Sequence, residues 1–127
     1  MTWYSKNSWT IAKKSTGHDG SIYDSKFEAG GGNDLLLRKR AKDIKNYVRQ
    51  VNFPLTVNGY KVGVYIADFV IEHNDGSKEI LEMKGRSTDV FKLKWRLMEA
   101  IYGEEYKLTI IYQGKGSMRH AKKVIEF

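Results

Sequence analysis

Tyr65-Ile66-Ala67-Asp68-Phe69-Val70-Ile71-Glu72, followed by His73-Asn74-Asp75-Gly76-Ser77 and then Lys78-Glu79-Ile80-Leu81-Glu82-Met83-Lys84-Gly85, decides the fold. Tyr65–Glu72 is rich in β-branched and aromatic residues, which suit strands, Lys78–Lys84 carries Ile80 and Leu81, and Asn74-Asp75-Gly76 between the two is turn chemistry. A three-residue loop centred on Asp75 pairs Glu72 with Lys78 and Asp68 with Glu82. Directly opposed residues of an antiparallel pair share a face, with Cβ atoms roughly 4.5–5.5 Å apart. A two-residue loop would slip the register by one and send the two acids to opposite faces. Glu82 and Lys84, two apart on one strand, face the same way in either register.

Working outward, Asn58-Gly59 is a second hairpin turn, joining Tyr47–Val57 to Tyr60–Glu72. Pro54, the only proline, marks Tyr47–Val57 as an edge or irregular strand. Upstream, Ser25-Lys26-Phe27-Glu28 has the form of a capping box. Gly30-Gly31-Gly32 follows at once and costs a helix roughly 3 kcal/mol relative to alanines, so a break is expected, with a restart at Asn33 or Asp34. Leu37, Ala41, Ile44 and Val48 then recur at helical spacing, among Arg38, Lys39, Arg40 and Lys42, a basic cluster that is either a solvated or a phosphate-facing surface.

Beyond Gly85, Ser87 or Thr88 caps a helix whose apolar face holds Phe91, Trp95, Met98 and Tyr102, broadened by Val90, Leu97 and Ile101, and Gly103 stops it. Tyr106–Tyr112 reads as a strand and Ser117–Ile125 as a short basic helix. The expectation is an α/β fold, a central mixed sheet of about four strands flanked by helices in the order αβββαβ. The chain forms one domain, 1–127, with an N-terminal arm (1–20), a core (21–112) and a basic C-terminal segment (113–127).

Composition bounds the chemistry. Twenty-two Lys and Arg against 15 acids give a net charge of +7, which favours a polyanionic partner such as nucleic acid. The absence of cysteine removes disulfides, thiolate metal sites and cysteine nucleophiles together. Met1–Lys6 has no apolar stretch and no run of 18 apolar residues occurs, so a cytoplasmic protein is expected. Trp3, Tyr4 and Trp9 beside Lys6, Lys13 and Lys14 can grip single-stranded or distorted nucleic acid, but read first as an arm docked on the core. No phosphate-cradling lysine loop or serine elbow is present, and the three histidines are scattered.

Asp68 lies inside an apolar run, where an ionised carboxylate needs a partner or a metal. Two adjacent acids repel unless a cation sits between them. Mg²⁺ uses one or two carboxylates and completes its shell with water and substrate phosphate. A lysine on the same face would stabilise the charge that develops on phosphate. Acids and lysines also alternate on ordinary solvated strands, so spacing alone leaves both readings open.

Asp68…Glu82-x-Lys84 resembles the PD-(D/E)xK nuclease superfamily, with Ala67 in place of the proline. The blocks Tyr23-Asp24-Ser25-Lys26-Phe27-Glu28-Ala29, Arg49-Gln50, Ala67-Asp68-Phe69, Glu82-Met83-Lys84-Gly85 and Lys92-Leu93-Lys94 are similar to the short phage Holliday-junction-resolvase-like endonucleases, over roughly residues 21–112. The resemblance implies a restriction-endonuclease-like core that cuts DNA, branched or duplex, with Mg²⁺, for which Mn²⁺ substitutes. It implies Asp68 and Glu82 as metal ligands, Glu28 as a third acid, and Lys84 as the catalytic lysine. Gln50 would orient substrate or water. Apart from the resemblance, the basic side chains Lys92, Lys94, Arg96, Arg119, Lys122 and Lys123 are expected either to contact backbone phosphate or to serve only as solubilising charge. A homodimer follows from the need to cut two strands. The rival readings are a nicking or non-specific phage nuclease and a non-catalytic nucleic-acid-binding domain.

Overall fold

The computed structural model describes residues 14–113 and 120–124. The chain runs β1 (Ser15–Thr16), β2 (Ile22–Tyr23), α1 (Lys26–Arg40), β3 (Asn46–Val57), β4 (Tyr60–Glu72), β5 (Lys78–Lys84), α2 (Asp89–Tyr102), β6 (Lys107–Gln113) and β7 (His120–Val124). From α1 to β6 this is the αβββαβ order the sequence predicts. β1 and β2 form a small ribbon, and the other strands make one mixed sheet in the order β3-β4-β5-β6-β7, in which β5 and β6 are parallel. Helices cover both faces. Phe27, Ala29 and Leu35 of α1 pack with Phe69, Ile71, Leu81 and Met83 on one side. Phe91, Trp95 and Met98 of α2 pack with Phe53, Leu55, Tyr65, Ala67, Ile80 and Ile110 on the other.

The hairpin after β4 has the predicted register: Glu72 opposes Lys78, Ile71 opposes Glu79, and Phe69 opposes Leu81. Gly76 takes φ 90°, the left-handed conformation that glycine adopts freely and that such a loop requires. Pairing stops one step short of Asp68 and Glu82. The same place is irregular on the other side, where Arg49 pairs with Phe69 and Val51 with Ala67, and no pair links Gln50 to Asp68. Gln50 sits at φ 56°, an uncommon conformation for a residue with a side chain. The strands change faces across this point. Tyr65, Ala67 and Val70 pack on the α2 side but Phe69 and Ile71 on the α1 side, so strict alternation fails between Ala67 and Val70.

Four sequence expectations are corrected, the last of them at Val90. First, α1 runs unbroken through Gly30-Gly31-Gly32. Tertiary contact outweighs propensity here, because a Cβ on Gly32 would lie 2.1 Å from the Tyr23 hydroxyl and one on Gly31 2.8 Å from Met83 Sδ. The glycines let the helix approach the sheet and β2. A Cβ on Gly30 meets nothing within 4 Å. Gly30→Ala is therefore expected to stabilise the protein by up to about 1 kcal/mol, whereas Gly32→Ala destabilises it by about 1–3 kcal/mol. Denaturant midpoints read both, and the same sign for the two would refute the packing role.

Second, the helical spacing Leu37, Ala41, Ile44, Val48 does not describe one helix. α1 ends at Arg40 in a Schellman close: Lys42 is at φ 64°, and the amides of Lys42 and Asp43 return to the carbonyls of Lys39 and Arg38. Leu37 and Val48 are exposed, while Ile44 is buried outside the helix. Third, the C-terminal helix expected over Ser117–Ile125 gives way to β7, antiparallel to β6 with Thr109 opposite Val124. Pairing to the open edge of β6 overrides local preference. The expected docking of Trp3, Tyr4 and Trp9 falls outside the described residues. Thr88 is the N-cap of α2, its Oγ1 accepting from the Phe91 amide at 3.1 Å, and Val90, expected on the apolar face, is exposed.

Candidate functional site

The irregularity at Gln50 and Asp68 places a cluster of charged side chains where the ladder opens. Asp68 Oδ2 accepts from the Met83 amide at 2.8 Å, so the carboxylate takes the place of a ladder acceptor. This corrects the simple cross-strand picture: the two acids come together, but beside a frayed ladder and not as an opposed pair. Glu82 is 6% exposed, and its Oε1 accepts from the phenol of Tyr65. Lys84 Nζ lies 3.7 Å from Glu82 Oε2 and 3.9 Å from the centroid of the Phe91 ring, which fixes the ammonium from below.

Glu28 arrives from the first turn of α1. Only half of the capping box forms: Ser25 Oγ accepts from the Glu28 amide at 3.1 Å, while the Glu28 carboxylate turns to β3. Its Oε2 accepts from Gln50 Nε2 at 3.3 Å and lies 3.7 Å from Arg49 Nη2. Arg49 donates through Nη1 to the Ile22 carbonyl at 3.1 Å and stacks its guanidinium 3.9 Å over the Tyr23 ring. One arginine thus joins β2, β3 and the helical acid.

Burial sets the electrostatics. Asp68 is pushed up to about 7, first by loss of solvent and then by the charge of Glu82, against the opposing pull of the Met83 amide and Lys84. Burial also raises Glu82, resisted by the Tyr65 hydrogen bond and Lys84. Glu28 rises to about 7 through burial and then the charges of Asp68 and Asp24, with Arg49 opposing. Tyr65 is raised by burial and by Glu82, so its phenol stays a donor. The three acids therefore feel one another, and a cation would relieve them.

A half-buried and a buried carboxylate side by side form a hard oxygen donor set of the kind Mg²⁺ and Mn²⁺ take, with water and phosphate left to complete the shell. Asp68 and Glu82 fit that requirement. Among the described residues, no three His, Asp or Glu side chains are grouped as ligands of one ion. Glu28 acts on the pair through its charge, while its Oε2 faces Gln50 and Arg49.

The more distant expected residues separate. Lys92 and Arg96 are exposed, one turn apart on α2. Lys94 donates to the Val64 carbonyl at 3.0 Å and ties α2 to β4. A cavity of about 230 Å³ opens on the α1 side, between Gly30, Gly31, Asp34 and Arg38 above and Leu81, Met83 and Ile111 beneath. Met83 belongs to this floor and, through its amide, to the Asp68 contact. His73, whose Nε2 lies 2.8 Å from Glu79 Oε1, is a structural partner away from the acids of the site.

Sequence reading missed Tyr65, the donor to Glu82, and read Phe91 only as core. A phenol in the same apolar run as a buried acid was the available signal. Strict alternation placed Tyr65 on the same face as Phe69 and gave it no reason to meet Glu82.

No helix among the described residues is long and apolar enough to cross a membrane. No curated protein and no solved structure matches the chain. A family profile does match, over residues 7–117, and the chain belongs to that family, described as protein of unknown function DUF1064.

Proposed function

We propose that the protein is a Mg²⁺-dependent DNA endonuclease of the PD-(D/E)xK kind, acting on branched DNA as a homodimer in the cytoplasm. The observation that carries this reading is the pair of half-buried Asp68 and buried Glu82, with Lys84 Nζ 3.7 Å from Glu82. Asp68 and Glu82 would hold the metal, which supplies an activated water and neutralises charge on the leaving oxygen. Lys84, held over Phe91, is positioned to stabilise the negative charge that grows on the scissile phosphate. Glu28 and Gln50 bound the side of the site next to α1, where Gln50 orients Glu28 and lies exposed to substrate. Lys92 and Arg96 contact backbone phosphate, which positions DNA without reading its sequence. The net charge of +7 supports the same class of partner.

The test is a cleavage panel: a four-way junction, a flap and a matched linear duplex, each with Mg²⁺, Mn²⁺ or EDTA. Cutting of the junction in preference to the duplex, abolished by EDTA, is the expected result. Equal cutting of all three substrates favours a nicking or non-specific nuclease. Binding without cutting under every metal condition overturns the enzymatic reading and leaves a nucleic-acid-binding domain.

A further inference from the structure

We propose that Tyr65 is a positioning residue that tunes metal selectivity, by occupying one oxygen of Glu82 and leaving the other for the ion. The inference rests on the metal-dependent reading of the site and adds to it a determinant of which ion is taken. Tyr65 is 4% exposed, and its ring centroid lies 5.8 Å from that of Trp95 and 6.5 Å from that of Phe91. Packed in this way, the phenol has little freedom to turn from Glu82 Oε1, to which it donates. The other acid is treated alike, since Asp68 Oδ2 is held by the Met83 amide at 2.8 Å. One oxygen of each carboxylate is thereby committed to a protein donor. Asp68 Oδ1 and Glu82 Oε2 take neither of these two bonds; the two carboxylates also hydrogen-bond each other, a contact that an ion would replace, and Oε2 lies 3.7 Å from Lys84.

Two single-oxygen carboxylates suit a small ion that demands octahedral geometry and keeps several waters. Ca²⁺ takes six to eight oxygens at longer distances and readily accepts both oxygens of one carboxylate. Removing the phenol would return Oε1 to Glu82 and permit that second mode. The same donor also fixes the carboxylate's rotation, as outer-shell partners of metal ligands commonly do. The identity of residue 65 therefore bears on the balance between Mg²⁺ and Ca²⁺.

Isothermal titration of Mg²⁺, Mn²⁺ and Ca²⁺ into the DNA-free full-length chain tests this, using wild type, Tyr65→Phe and Asp68→Asn. Tyr65→Phe keeps the ring packing and is expected to shift the Ca²⁺:Mg²⁺ affinity ratio toward Ca²⁺ by on the order of tenfold. A folded Tyr65→Phe protein with an unchanged ratio overturns the proposal. If wild type shows no Asp68-dependent binding of any ion, the metal reading itself fails, and that outcome is distinct from an unchanged ratio. Should Tyr65→Phe not melt cooperatively, infrared carboxylate bands of Ca²⁺-loaded wild type decide the point. A Glu82 band, identified by its loss in Glu82→Gln, at the position of one-oxygen coordination supports the proposal, and one at the position of two-oxygen coordination overturns it.

Discussion

Asp68→Asn is expected to lower Mg²⁺-dependent DNA cleavage by at least about a thousandfold while DNA affinity stays within a factor of about ten. Asparagine has nearly the same shape as aspartate, and its carbonyl oxygen can still accept from the Met83 amide, so the irregular joint between β4 and β5 is preserved. What disappears is one of the two negative charges available to a metal at the site. On the proposed reading, affinity for DNA would come instead from exposed cations such as Lys92 and Arg96, which the substitution does not touch. Lys84→Ala separates the roles further. It is expected to cripple cleavage but leave metal binding in place, since Asp68 and Glu82 remain. Single-turnover cleavage and a DNA-binding titration read each variant. An Asp68→Asn protein that cuts within tenfold of wild type would remove the acid pair from any catalytic scheme.

The residues that specify the β4–β5 hairpin also show how far sequence reaches. Asn74-Asp75-Gly76 set the register through Phe69 and Leu81 because turn chemistry is local and Gly76 meets it with φ 90°. The face of α2 was legible for a similar reason: Phe91, Trp95 and Met98 repeat at helical spacing and all are buried. Asp68, Glu82 and Lys84 were legible as a group because parity and turn brought them together. The features that alternation cannot express were not legible. Gln50 at φ 56° and the missing pair opposite Asp68 switch the face of two strands, which turns Tyr65 toward Glu82. The glycine triplet was misread because its cost to a helix is local, whereas its benefit lies in Tyr23 and Met83, distant in sequence. β7 failed in the same way, since its strand conformation depends on a neighbour that composition does not reveal. Misreadings therefore gather where tertiary contact opposes a local rule, and the candidate site lies at one such place.

In EDTA the protein is expected to lose stability as pH rises from about 4 to 7.5, the reverse of the usual behaviour of carboxylates. Asp68 has an ordinary value of 3.8 and is held near 7 in the folded chain. Between those values the folded state keeps a proton that the unfolded state has released, so unfolding becomes more favourable with each step up in pH. The penalty is absent below the unfolded value and complete above the folded one. A single group loses at most about 1.4 kcal/mol per pH unit, and the direction is a fall throughout the window. Asp68 shares its proton with Glu82, so the transition belongs to the pair. Glu28, raised from 4.5 to about 7, adds to the same trend, with Arg49 beside it reducing its share. A divalent cation acts in the opposite sense, because it binds the folded carboxylates and stabilises by about 2.7 kcal/mol at a hundred times its dissociation constant. Thermal melts should therefore show the melting temperature falling from pH 5 to 7.5 in EDTA, and Mg²⁺ restoring it at the upper end. Asp68→Asn should flatten the pH profile and abolish most of the Mg²⁺ response together, because both arise from the same pair of charges. A wild-type profile that is flat in EDTA would mean that the acids are not buried against each other, and the proposed metal site would go with them.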